Sequence, residues 1–113
     1  MSDQSTVQHL NLESFDSAVG EGITVIDFWA AWCGPCRAMA PQFERAAQLR
    51  PAYRFAKVDV DAEPDLAARF SVSSIPTLMV IRDGEPIAAQ AGAIGADQLV
   101  AALDRIADVP AAA

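Results

Sequence analysis

A nearly continuous run of bulky apolar residues at 23–32, ITVIDFWAAW, constrains the fold of this chain more than any other segment. Most of its residues are β-branched or aromatic, which is typical of a strand that is buried on both faces. Such a strand needs helices packed against both sides of its sheet. The run therefore predicts an α/β fold in which this strand lies inside the sheet.

The rest of the chain alternates between helical and strand patterns. Apolar periodicity and turn residues predict helices at 12–19, 36–49, 63–70 and 96–108, strands at 53–61 and in both halves of 77–92, and a short strand near 6–9. Pro41 lies inside the second of these helices and predicts a kink. Asp83 and Gly84 form a strong hairpin signal between two antiparallel strands. Because a strand–helix–strand unit implies a parallel pair, we predict a mixed sheet with helices on both faces.

Length and composition fit one folded domain. The 113 residues suffice for a single domain and are too few for two. We predict one domain over 1–113, with its core at about 7–107 and frayed ends at 1–5 and 109–113. A net charge of −7 argues against a nucleic-acid partner. No apolar run approaches the roughly 18 residues of a membrane helix. The N-terminus lacks the blocks of a secretory signal, so we expect a cytoplasmic protein that does not bind membranes.

Both cysteines of the chain, Cys33 and Cys36, follow the buried strand. A purely structural disulfide is one interpretation, but a bridge across so few residues restricts the unfolded chain little and is rare in a reducing cytoplasm. A metal site is another, but zinc and iron–sulfur clusters usually take four protein ligands. The single histidine, His9, is far away in sequence and is expected to be an ordinary surface or strand-edge residue. We therefore expect no bound metal.

The position of the cysteines favours redox chemistry. Cys33 lies where the strand ends and a helix begins, and the unpartnered N–H groups and dipole of a helix start stabilise a thiolate. Cys36 is one turn further along the same face, within disulfide reach. Gly34 lets another chain approach closely, and Pro35 suits the first helical turn. We expect Cys33 to be the exposed nucleophile and Cys36 the deeper, resolving thiol.

The motif WCGPC resembles the active site of the thioredoxin family. The resemblance extends to VIDFWA before the motif and to KVDVD, SIPT, DGE and AGA after it, in the family's order, and covers about 7–107. It implies the thioredoxin fold, a central mixed five-stranded sheet flanked by four helices. It also implies a protein-disulfide reductase that works as a monomer through a Cys33–Cys36 disulfide and binds no cofactor. Its partners would be disulfide-containing proteins and a thioredoxin reductase, which supplies the NADPH and flavin chemistry.

Three further residues match functional positions of the family. Asp27 interrupts the apolar strand, so burial should raise the pKa of its carboxyl, and the family assigns such an aspartate the proton of Cys36, passed through a water. The alternative is an exposed aspartate at a sheet edge. Lys57 matches a lysine near this aspartate and would modulate it, although it could also be an ordinary surface lysine. Pro76 matches a proline whose peptide bond is cis and lies against the dithiol.

The resemblance also predicts a mostly apolar groove around Cys33, of the kind that binds partners. Its residues would be Trp32, Gly34, Pro35, Val60, Ser74, Ile75, Pro76, Gly92 and Ala93. The backbone of Ile75 could pair with an extended substrate segment, while Val60 and Ala93 could simply be packing residues. Ala31 and Ser74 depart from the residues common in the family, which affects partner preference more than chemistry.

Two other functions are compatible with such a fold. One is a disulfide isomerase or oxidant, but those relatives usually carry histidine where this chain has Pro35, and that exchange changes the redox poise. The other is a binding module that uses the groove without redox turnover, against which the presence of both cysteines argues.

Overall fold

A computed structural model describes residues 6–110 of the chain. Its nine elements follow the predicted order: β1 (Val7–His9), α1 (Leu12–Val19), β2 (Ile23–Trp29), α2 (Gly34–Leu49), β3 (Arg54–Asp59), α3 (Pro64–Arg69), β4 (Thr77–Arg82), β5 (Glu85–Ala91) and α4 (Ala96–Asp108). Of the ends predicted to fray, 1–5 and 111–113 lie outside the described residues. Within the C-terminal part that is described, the Val109 carbonyl accepts a hydrogen bond from Arg82.

The five strands form one mixed sheet, as predicted for the thioredoxin fold, and the structure gives their order as β1-β3-β2-β4-β5. The pairs of β3 with β1 and with β2 are parallel, whereas β4 runs antiparallel to β2 and to β5. The predicted hairpin turn is confirmed, since Asp83 and Gly84 have φ values of 51° and 87°, as a two-residue hairpin loop requires. β2 has a neighbouring strand on each side, so the backbone hydrogen-bonding groups of this most apolar strand have partners.

Helices cover both faces of the sheet, which confirms the two-sided burial predicted for β2. On one face, α2 and α4 pack against side chains that include Val25 and Phe55. On the other, α1 and α3 pack against Ile26 and Phe28. Because side chains alternate along a strand, Asp27 shares the face of Val25 and lies under α2, the helix that begins with the dithiol.

Two boundaries next to the cysteines differ from prediction. β2 ends at Trp29 rather than at 32, because the chain turns there and the Cys33 N–H donates to the Ala30 carbonyl at 3.1 Å. α2 begins at Gly34 rather than at 36, since Cys33 itself takes the N-cap position. The helix continues through Pro41 to Leu49. The kink at Pro41 remains a prediction.

Candidate active site

The two cysteines lie at the junction of β2 and α2 and are joined by a disulfide, with Cα atoms 5.2 Å apart. Cys33 is the N-cap of α2, and its Sγ accepts a hydrogen bond from the Cys36 N–H at 3.1 Å. A helix start presents N–H groups without intrahelical partners. The sulfur of Cys33 therefore occupies the position that an N-cap oxygen takes in most helices, where a negative charge is favoured.

The prediction that Cys33 is exposed is wrong for this disulfide-bonded form. Only 3% of Cys33 and 1% of Cys36 are accessible to solvent. The bond to Cys36 holds the sulfur inward, where both cysteines pack with Ala30 against Trp29, Val60 and Ile75.

Gly34 lies at the surface directly after Cys33. A Cβ at this position would meet no atom within 4 Å, and the residue is exposed. Its backbone has no positive φ that would demand glycine. Packing inside this chain therefore does not explain the absence of a side chain, whereas close approach by a second molecule would.

The segment before β4 forms the opposite side of the site. The Ile75–Pro76 peptide bond is cis, and the Ile75 carbonyl oxygen lies 3.9 Å from Cys33 Sγ. The Pro76 carbonyl accepts the N–H of Gly92 at 2.8 Å, which connects this segment to the end of β5. The dithiol, the segment before β4 and the end of β5 are far apart in sequence, and the structure thus brings them together.

Asp27 is fully buried in β2, which excludes the alternative of an exposed edge residue. Neither carboxyl oxygen accepts a hydrogen bond from the described residues. Burial raises the pKa of Asp27 from 3.8 to about 6, and the positive charge of Lys57 partly opposes that rise. A carboxyl group with this pKa changes its protonation just below neutral pH, which suits a proton acceptor.

Lys57 lies directly beside Asp27, because the two residues are register partners in the parallel pair β2–β3. Its Nζ lies 4.3 Å from the centroid of the Trp29 ring, so the half-buried side chain is not an ordinary surface lysine. His9 stands at the edge of the same ring, with centroids 6.4 Å apart. His9 is exposed on the edge strand β1, as predicted.

The predicted groove residues differ in exposure. Those on the surface are Trp32, Gly34, Pro35, Ser74, Gly92 and Ala93, those half-buried are Val60 and Ile75, and Pro76 is buried. Trp32 is 68% exposed, a large apolar surface for a side chain beside a reactive group. The exposed residues are accessible to a partner, whereas the buried Pro76 is not.

Two polar contacts at the site were not predicted from the sequence. Asp61 accepts a hydrogen bond from Trp32 Nε1 at 2.8 Å and so orients the exposed indole. Arg37 donates to the Ala31 carbonyl at 2.9 Å, which joins the first turn of α2 to the end of β2. The sequence feature that pointed to this contact is the group of acidic residues at 59–63. It did not identify which of their carboxylates bonds to the Trp32 indole.

Two features are absent from residues 6–110. No group of three or more histidine, cysteine, aspartate or glutamate side chains is placed to hold a metal ion. No helix in this part of the chain combines the length and apolarity needed to cross a bilayer.

Comparison with known proteins agrees with the geometry. The family model described as Thioredoxin matches residues 6–105. "Putative thioredoxin 2" of Streptomyces coelicolor is 48% identical over 91 residues, which cover 80% of this chain and 67% of that protein. "Thioredoxin" of Staphylococcus aureus is 44% identical over 92 residues, which cover 80% of this chain and 88% of that protein. The family match includes both cysteines and every predicted groove residue.

Proposed function

This chain belongs to the thioredoxin family and is a thiol–disulfide oxidoreductase, and we propose that it reduces disulfides in other proteins through Cys33 and Cys36. The observation that carries the proposal is the position of Cys33 Sγ at the N-cap of α2, 3.1 Å from the Cys36 amide nitrogen. The same N–H that bonds the sulfur in the disulfide would stabilise a Cys33 thiolate after reduction.

The reaction has two exchange steps. The Cys33 thiolate attacks one sulfur of the target disulfide, that S–S bond breaks, and the departing target sulfur takes up a proton. Cys36 then loses its proton and attacks Cys33 Sγ, which breaks the mixed disulfide, forms the Cys33–Cys36 bond and expels the second target sulfur as a thiolate that takes up a proton. The target gains two electrons and becomes a dithiol, while this chain becomes oxidised to the form described above.

Asp27 is proposed to accept the proton of Cys36. With a pKa of about 6, its carboxyl is mostly ionised at pH 7 and can take a proton in the second step. Lys57 modulates this step because its charge favours the ionised form of Asp27. Both side chains lie on the sheet face covered by α2, the helix that carries Cys36.

The site favours a reductase over the two alternative functions. Pro35 occupies the position where related oxidants and isomerases usually have histidine, a residue whose charge would stabilise the thiolate further. A binding module without redox turnover would need neither a disulfide-bonded pair at a helix start nor a buried carboxylate beneath it. The proposed groove is bounded by exposed Trp32, Gly92 and Ala93, and an extended segment of the target would lie along Ile75.

The proposed partners are disulfide-containing proteins and a thioredoxin reductase. That reductase would return electrons from NADPH through its own flavin, so this chain needs no cofactor beyond its dithiol. We predict that the protein works as a monomer in the cytoplasm. The assignment of 1–113 to a single domain is also a prediction.

Turbidity during reduction of insulin tests the proposed activity. The protein, with NADPH and a thioredoxin reductase, should precipitate the freed insulin chains well before a control without it, and Cys33→Ser should remove the effect. A wild-type rate equal to the control would refute the proposal. If the wild type does not accelerate reduction but the Cys33→Ser, Cys36→Ser double variant binds insulin as well as the wild type does, the result would instead support a binding module.

Trapping experiments test the roles of the two cysteines. Cys36→Ala should accumulate mixed disulfides through Cys33 when exposed to an oxidised cell extract, because no resolving thiol remains. The matched variant Cys33→Ala should accumulate few. If adducts form mainly through Cys36 in Cys33→Ala, the assigned roles are reversed.

A further inference from the structure

The loop at 92–95 joins β5 to α4 and carries two residues of the proposed groove, Gly92 and Ala93. Its first residue is held by the cis-proline segment, because the Gly92 N–H donates to the Pro76 carbonyl at 2.8 Å. Gly92 has a φ of +98°, a conformation that glycine adopts without strain. This end of the loop is therefore fixed next to the dithiol by backbone contacts alone.

The other end of the loop is held by a side chain from α2. Ala96 begins α4, and its N–H is one of those that a helix start leaves without an intrahelical partner. The N-cap residue Gly95 offers no side chain to accept it, but Gln42 Oε1 does so at 3.0 Å. Ala96 is only 3% exposed, so loss of this acceptor would leave a buried N–H poorly satisfied.

Gln42 belongs to the same helix as the dithiol. It lies six residues after Cys36, within α2. A notch of about 240 Å³ separates α2 from the 92–95 loop and is lined by Ala38, Gln42 and Ala93, among others. Gln42 lines this notch and accepts the Ala96 N–H, so one side chain connects the 92–95 loop to the helix that bears both sulfurs.

We propose that Gln42 is a positioning residue that fixes the 92–95 loop relative to the dithiol and thereby favours polypeptide disulfides over small ones. The inference rests on the proposed function. A polypeptide substrate lies along Gly92 and Ala93 as well as at Cys33, and a preordered loop lowers the entropy lost when it binds. A small disulfide reaches Cys33 without touching the loop.

Three variants test the proposal. Gln42→Leu removes the acceptor at similar size, Gln42→Glu keeps an oxygen that can accept the Ala96 N–H, and Gln48→Leu makes the same change at an exposed position of α2. Each protein is reduced beforehand, and stopped-flow fluorescence gives second-order rate constants for insulin and for the small disulfide 4,4′-dithiodipyridine. Amide hydrogen exchange of Gly92 to Ala96 reports on the loop directly.

For Gln42→Leu we expect the insulin rate constant to fall about 3- to 10-fold, the dithiodipyridine rate constant to stay within about 2-fold, and exchange at Ala96 to become faster. Gln42→Glu and Gln48→Leu should resemble the wild type in all three measurements. Equal losses for both disulfides, failure of Gln42→Glu to retain the wild-type values, or unchanged exchange at Ala96 would overturn the inference. If wild-type protein does not reduce insulin at all, the proposed function fails, while the exchange data still decide whether Gln42 holds the loop.

Discussion

Two carboxylates of this chain have opposite surroundings. Asp27 is fully buried in the central strand, accepts no hydrogen bond from the described residues, and has its pKa raised to about 6 by burial. Asp104 lies on α4, where Arg50 and Tyr53 donate to it at 2.7 and 3.1 Å. Those hydrogen bonds, that from Arg50 above all, lower the pKa of Asp104.

On the proposed mechanism, the difference separates a group that serves chemistry from one that serves the fold. Asp104 connects α4 to the end of α2. Because its charged form is stabilised, Asp104 stays ionised near neutral pH. Asp27 is destabilised in its charged form, because an apolar strand replaces the water around it. A chain that keeps such a carboxyl reduces its own stability, and the proposed role of Asp27 as proton acceptor for Cys36 would account for its presence.

The largest effect is expected on stability after Asp27→Asn. The folded protein holds the Asp27 proton more tightly than the unfolded chain, so wild-type stability falls as pH rises from about 4 through about 6 and then levels off. The asparagine side chain does not titrate, so the variant lacks this pH-dependent loss of stability. Its gain in the free energy of unfolding over wild type should be about 2–3 kcal/mol larger at pH 8 than at pH 4.

Urea unfolding of the oxidised proteins at both pH values measures this difference. Comparing the two pH values removes the constant cost of burying an unsatisfied amide. Equal gains at pH 4 and pH 8 would show that Asp27 titrates near its ordinary pKa, and the contrast with Asp104 would disappear.

The same variant should slow the second exchange step. Without the carboxylate, Cys36 must lose its proton to solvent, which we expect to reduce the rate of the second step about 10- to 100-fold. This is a small effect for the loss of a general base, because water can substitute for the carboxylate. Mixing reduced protein with excess 5,5′-dithiobis(2-nitrobenzoate) separates the steps, since the second release of nitrothiobenzoate follows Cys36 attack. A second phase as fast as in wild type would remove Asp27 from the mechanism.

A smaller effect is expected from Lys57→Met. Removing the positive charge that opposes the burial effect should raise the pKa of Asp27 further above its wild-type value of about 6. The carbon chemical shift of the Asp27 carboxyl, followed by NMR between pH 4 and pH 9, gives this pKa. Lys57→Arg keeps the charge and should change it less, and an unshifted titration in Lys57→Met would mean that the cation interacts mainly with Trp29.

Most of the fold could be predicted from the sequence because its signals are local. Helix α4 at 96–108 and helix α1 at 12–19 were predicted with the bounds that the structure has, since apolar periodicity and flanking glycines define both. The hairpin followed from the two residues Asp83 and Gly84. The end of β2 was placed three residues too late, because Ala30 to Trp32 are apolar but already belong to the turn.

The site could be predicted only in part. The disulfide and the burial of Asp27 followed from spacing and from apolar neighbours, and the position of the cis bond from the family resemblance. The burial of Cys33 was missed, since it depends on Trp29, Val60 and Ile75 converging from three segments. Hydrogen bonds such as that from Trp32 to Asp61 are likewise tertiary, and no residue pattern identified the pair.

The smallest effect is expected from Asp104→Asn. Its side chain and that of Arg50 are 41% and 38% exposed, so solvent screens the pair and its loss should cost little stability. Because the pKa of Asp104 is lowered, its contribution is present above pH 4 and declines as pH falls below that value. In urea unfolding, Asp104→Asn should therefore be slightly less stable than wild type at pH 7, and this difference should shrink as pH falls below 4, the opposite sign to Asp27→Asn. The rate of the second exchange step should not change, and a slowed rate would show that the Arg50–Asp104 contact affects the dithiol through α2.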